Sequence, residues 1–161
     1  MLVAIVTAWC AGCAAVEPMP VPVREPRAVF DEAALRTAMA AGRSTVSGQV
    51  FGRTVGGDVK IGAGVEVRMI AQTEYATDCL RYIKFASTTC FDRIRPYLRS
   101  TITDAEGRFV FSKVRPGTYQ LETTLTWGVP TPSGVAQTGG EISGTARVVT
   151  DGEAVSVMLA L

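Results

Sequence analysis

From Tyr119 to Trp127 every second residue is bulky or β-branched: Tyr119, Leu121, Thr123, Leu125, Trp127. An extended chain turns successive side chains to opposite faces, so these five share one face of a strand and leave the polar residues on the other. The same period of two recurs at Val65, Val67 and Met69, at Phe109 and Phe111, and at Val155, Val157, Leu159 and Leu161. Such alternation marks half-buried antiparallel strands, which are predicted near 46–51, 64–70, 98–103, 108–113, 117–127, 140–149 and 153–160. The intervening chemistry suits turns. Asp104-Ala105-Glu106-Gly107 offers a glycine for positive φ, and Arg115-Pro116-Gly117-Thr118 places Pro and Gly at the centre of a type II turn. Gly56-Gly57 and Gly62-Ala63-Gly64 read as a hairpin or bulge, since no Gly-Lys-Ser/Thr follows to make a phosphate loop. Trp127, Pro130 and Pro132 open a Gly/Ser/Thr-rich stretch to Gly140 that reads as a loop. The expectation is an all-β chain, an antiparallel β-sandwich of about seven strands with a short N-terminal helix.

The helix signal covers 31–42. Asp31 can cap its N-terminus, alanines supply the propensity, Gly42 can stop it, and Leu35 and Met39 fall on one face at i, i+4. Before it lies a proline-dense stretch, Glu17-Pro18-Met19-Pro20-Val21-Pro22-Val23-Arg24-Glu25-Pro26, which opposes helix and sheet and favours an extended spacer. Residues Leu2 to Trp9 are an apolar run too short to span a bilayer but suited to the apolar core of a secretory signal. Cys10-Ala11-Gly12-Cys13 then resembles the lipobox of bacterial lipoproteins, with Cys10 where leucine is usual. That resemblance implies lipidation of Cys13, a membrane partner through the lipid, and a place in the bacterial cell envelope. By resemblance to enterobacterial lipoprotein sorting, Ala14 after the cysteine implies the outer membrane, facing the periplasm. No Lys or Arg precedes Arg24, so the basic start of a signal is missing and the true start codon is expected upstream. The division that follows is 1–13 signal and lipobox, 14–43 tether and helix, and 44–161 sandwich.

Sixteen basic residues meet fifteen acidic ones for a net charge of +1, with no basic block, which argues against nucleic acid as a partner. The chain has no histidine, which removes His-based general bases, Ser–His and Cys–His pairs and His metal ligands. Asp104 and Glu106 lie in a turn and make no dense acidic cluster for calcium. No catalytic residues, no cofactor and no metal site are expected, and the chain does not read as an enzyme.

Cys79 and Cys90 stand eleven positions apart, and in an oxidising compartment such a pair is expected to form a disulfide. Two thiolates without further ligands cannot complete a zinc tetrahedron. Around the pair, residues 74–97 form a long insertion between two strands. It carries Tyr75, Tyr82, Phe85, Phe91 and Tyr97 with Arg93 among them, residue types favoured at binding hot spots. Two readings stand: a surface for an envelope protein or polymer, or aromatics that pack the disulfide segment against the sheet. Trp127 carries a similar choice between a sugar platform and a core residue.

The order of Val46-Ser47-Gly48-Gln49-Val50, Gly62-Ala63-Gly64-Val65-Glu66-Val67, Thr103-Asp104-Ala105-Glu106-Gly107-Arg108-Phe109-Val110-Phe111 and Val114-Arg115-Pro116-Gly117-Thr118-Tyr119-Gln120-Leu121 resembles the carboxypeptidase regulatory-like domain. The likeness covers roughly 45–125. It implies a transthyretin-like (prealbumin-like) β-sandwich serving as a non-catalytic accessory or binding module. Hydroxyisourate hydrolases share that kind of fold but rely on histidines, which this chain lacks. The function expected is a binding or structural module displayed from a lipid anchor. The alternatives are a subunit of an envelope assembly or a carbohydrate-binding module.

Overall fold

The computed structural model describes residues 26–82 and 88–161. The signal and lipobox with Cys13, nearly all of the tether, and Phe85 lie outside the described residues, as does the side chain of Tyr82.

The elements run α1 (Glu32–Ala38), β1 (Ser44–Arg53), β2 (Val59–Ile61), β3 (Glu66–Ala71), α2 (Glu74–Tyr82), α3 (Thr88–Ile94), β4 (Arg99–Ile102), β5 (Arg108–Val114), β6 (Gly117–Thr131), β7 (Gly134–Val148) and β8 (Ala154–Ala160). They form the expected sandwich of two four-stranded sheets. In the first sheet β1 is central. Its one edge takes β5 over Ser44–Gln49 and β2 over Phe51–Arg53, both antiparallel, and its other edge takes β8 in parallel over Thr45–Phe51. The second sheet is antiparallel throughout, in the order β4-β3-β6-β7. The parallel β1–β8 pair departs from the fully antiparallel expectation, because alternation fixes a strand's faces but not the direction of its neighbour.

The residues that alternate in sequence are those that face inward. Val46, Val50, Val67, Met69, Phe109, Phe111, Tyr119, Leu121, Leu125 and Leu159 are buried between the sheets. Thr123, the polar member of the β6 series, is also buried, and its hydroxyl donates to Glu66 O at 2.7 Å, which offsets the cost of burying it.

Several local expectations change. The helix is capped by Asp31, whose Oδ1 accepts from Ala34 N at 2.9 Å, and buries Leu35. It ends at Met39, well before Gly42, whose N–H donates to Lys113 O instead. The Asp104 turn forms as read, with Oδ1 accepting from Glu106 N at 3.0 Å and Arg108 N at 2.7 Å. It carries the chain across from β4 in one sheet to β5 in the other, not through a hairpin. The link from β5 to β6 crosses between sheets too, and Gly117 is almost fully extended (φ 158°), so the type II turn at Arg115–Thr118 is not made.

The loop expected from Trp127 to Gly140 is instead a β-ribbon. β6 and β7 stay paired to Thr131↔Gly134, joined by Pro132 and Ser133. Proline is tolerated here because β3 pairs with β6 only as far as Thr123, which leaves that edge of the later β6 without a ladder to break.

The described residues of the insertion 74–97 are helical. Thr73 Oγ1 accepts from Ala76 N at 3.2 Å and starts α2. Tyr75, Ala76, Cys79 and Leu80 are buried, as are Cys90 and Ile94 of α3. The Cys79–Cys90 disulfide joins the two helices with their Cα atoms 5.8 Å apart. Among the described residues no helix is long and apolar enough to cross a membrane.

Candidate functional site

The four partner-surface candidates whose side chains are described, Tyr75, Phe91, Arg93 and Tyr97, do not form one exposed face. Tyr75 is 6 % exposed and packs its ring 5.0 Å from Phe30, so it belongs to the core and not to a contact surface. Tyr97 is half-buried and its hydroxyl donates to Glu32 at 2.7 Å, tying the insertion to α1. That bond, and then Arg36, hold the Glu32 carboxyl below the usual carboxylate range. Phe91 is half-buried beneath the Arg95 guanidinium, 5.2 Å from its ring centre, and Arg93 is exposed. For the described members, then, packing accounts for most of the aromatic content of the insertion.

A concavity of about 610 Å³ lies beside this helical end, between Phe30, Glu32, Thr73 and Tyr75. Two of its carboxylates are committed within the fold, Asp31 as the cap of α1 and Glu32 to Tyr97 and Arg36, while Glu74, at the start of α2, also lines it. The Tyr75 hydroxyl nearby is buried without a partner among the described residues, but it is closed off from solvent.

A different arrangement stands at the other end of β6. There the first sheet stops at the β1–β2 turn while the β6–β7 ribbon runs on, and the sheets leave between them an open cleft of about 680 Å³. Such a volume is within the usual range for small-ligand sites. Trp127 is the last of the alternating inward residues of β6 and lies past the point where β3 covers that strand. It is half-buried and lines the cleft. Gly52 of β1 makes room for it: a Cβ there would lie 3.2 Å from Leu125 Cδ2 and 3.3 Å from Trp127 Cζ3. One edge of the indole is thereby fixed against β1 while the side chain borders open space.

Opposite Trp127 the wall is charged. The Gly56-Gly57 turn forms as a hairpin, with Gly57 at φ +90° and Thr54 N donating to Asp58 O at 2.9 Å. It brings Arg53, Asp58 and Lys60 to the cleft. Lys60 Nζ lies 4.0 Å from Asp58 Oδ2, and Arg53 has no ion-pair partner among the described residues. Thr138 and Val129 add a hydroxyl and an apolar edge from the ribbon. Trp127 was visible in the sequence as one of two possibilities; Arg53, Asp58 and Lys60 were not. Their nearest signal was the Gly56-Gly57 hairpin, which sets Gly52 opposite Lys60 and Arg53 opposite Val59 and so gathers the charges.

The arrangement is an aromatic platform facing hydrogen-bonding charged groups across an open cleft. No family model matches the chain, and no curated protein matches it in sequence. Solved structures do. A candidate carbohydrate-binding protein from Pseudomonas aeruginosa is similar with a TM-score of 0.66 at 21 % identity, covering 82 % of this chain and 97 % of that one. The likeness shows the fold. The dioxygenase domain of a dioxygenase–carbohydrate-binding protein fusion from Streptomyces sp. SirexAA-E covers 88 % of this chain and 97 % of that one, but at a TM-score of 0.36 and 14 % identity. A fit that loose bears on nothing further.

Proposed function

We propose that this chain is a non-catalytic carbohydrate-binding module of the bacterial cell envelope, held to the outer membrane through lipid on Cys13. The observation that carries the binding reading is Trp127, half-buried at the open end of the sandwich with Arg53, Asp58, Lys60 and Thr138 around it. A pyranose has one face rich in C–H groups, which suits the electron-rich face of an indole, and a rim of hydroxyls that charged and hydroxyl side chains can bond. The similar Pseudomonas aeruginosa structure is that of a candidate carbohydrate-binding protein, which supports sugars as the first ligands to try. The non-catalytic part rests on the sequence, which has no histidine and no recognisable nucleophile with its base. The buried disulfide and the lipobox-like Cys10–Cys13 segment support export. The two-sheet sandwich is the kind of fold that the regulatory-like resemblance implies, and that resemblance is part of the same proposal.

The test is retention on a glycan array followed by titration calorimetry. Wild type is expected to hold at least one oligosaccharide class, and Trp127→Ala to weaken it by about ten- to a hundredfold, or about 1.4–2.8 kcal/mol. Trp127→Phe keeps an aromatic face and should lose less. No retention of any glycan by wild type, or unchanged affinity in a folded Trp127→Ala protein, would overturn the sugar reading. Cys13→Ser is expected to move the protein from the membrane fraction to the soluble periplasm. Continued sedimentation with membranes would overturn the lipid anchor.

A further inference from the structure

We infer that the Trp127 cleft selects sugars carrying a carboxylate, with Arg53 as the residue that reads it; this rests on the carbohydrate reading above. The two walls of the cleft differ in kind. From Thr126 to Gly140 the ribbon contains no ionisable side chain, so the Trp127 wall is neutral. All the ionisable side chains that line the cleft come from the β1–β2 hairpin: Arg53, Asp58 and Lys60. The Asp58 carboxylate is local to that hairpin. Its backbone N–H donates to Thr54 Oγ1 at 3.0 Å, and its side chain lies 4.0 Å from Lys60 Nζ. Arg53 is left with a guanidinium that no described carboxylate engages, although its backbone is pinned by the N–H bond to Leu161 O at 3.0 Å.

A guanidinium on one wall, open to solvent and without an ion-pair partner among the described residues, suits the planar two-oxygen geometry of a carboxylate, with two parallel N–H donors for two acceptors. A hexuronate stacked on Trp127 carries that carboxylate on the edge of its ring. The sugar face and the acid therefore address different walls of one cleft. A neutral hexose would satisfy the indole and offer the guanidinium hydroxyls but no charged partner, so the two ligand classes should differ in affinity and in salt dependence.

The experiment uses a panel of hexuronate trisaccharides, each beside its methyl ester, titrated into the wild-type protein at low and high salt. The acids are expected to bind about tenfold or more tightly than their esters, with the gap narrowing as salt rises. Arg53→Gln should abolish the difference between each acid and its ester, and Arg53→Lys should restore only part of the gap. Equal binding of acid and ester, or a gap that survives Arg53→Gln, would overturn the inference while leaving sugar binding intact. Binding of neutral oligosaccharides alone would do the same. If no sugar of either class binds, the carbohydrate reading itself falls and takes this inference with it.

Discussion

Replacing Phe109 with alanine is expected to cost about 3–5 kcal/mol of folding stability. Phe109 is 2 % exposed, and its ring meets that of Phe111 edge-on with centroids 6.0 Å apart. Its tip rests where Gly48 of β1 has no side chain: a Cβ there would lie 2.5 Å from Phe109 Cζ and 2.1 Å from Val157 O. The hole left by the ring cannot be filled from that side. Gly48 has nothing to move inward, and β1 is pinned along both edges, with Gly48 opposite Phe109 in β5 and Val157 in β8. Collapse is what lowers the cost of a cavity, so the value should fall in the upper part of the range. Urea unfolding should show a lower midpoint with an unchanged slope. Val110→Ala, one residue along and 55 % exposed on the opposite face, is the control and should stay within about 0.5 kcal/mol of wild type. Similar losses in the two variants would mean that the inward face of β5 has been assigned wrongly.

The contrast between Phe109 and Val110 also shows why the sandwich was legible in the sequence. A half-buried strand writes its orientation into every second residue, and Tyr119 through Trp127 do so over nine positions. Elements that bury little were not legible. β2 is three residues long with Val59 and Ile61 exposed, and it exists because β1 offers an edge at Phe51–Arg53. The ribbon beyond Thr126 buries almost nothing and contains Pro130, Pro132 and several glycines, which locally read as a loop; the pairing of β6 with β7 decides otherwise. The helices of the insertion did carry a signal. Tyr75, Ala76, Cys79 and Leu80 follow the i, i+4 spacing of one helical face, as do Cys90 and Ile94. That spacing runs for little more than a turn in each helix, too short to set a helix apart from a disulfide-pinned loop. The cleft was least legible of all, because Trp127 and Arg53 lie on different sheets, and no local pattern records which hairpin of one sheet will face which ribbon of the other.

Removing the Cys79–Cys90 bridge is expected to cost about 2–3 kcal/mol, and to lower the melting temperature by roughly 8–12 °C. The bridge closes a short loop, a sequence separation of 11, and so restricts the unfolded chain. The helices it joins have nine and seven residues, below the length at which an isolated helix holds in water. Without the bridge they depend on the packing of Leu80 and Ile94. Reduced wild type and the Cys79→Ala/Cys90→Ala variant should melt together, and reductant should not affect the variant further. An unchanged melting temperature after full reduction would mean that packing alone holds α2 and α3. The loss should also have a direction. The insertion reaches α1 through Phe30 against Tyr75 and Tyr97 against Glu32, so hydrogen exchange should quicken in α1 along with α2 and α3. Trp127 and Arg53 lie on β6 and β1, and among the described residues none of the insertion lines their cleft. Sugar retention at a temperature where the reduced protein remains folded should therefore match that of the oxidised protein. A parallel loss of retention would tie the ligand to the insertion and away from the cleft.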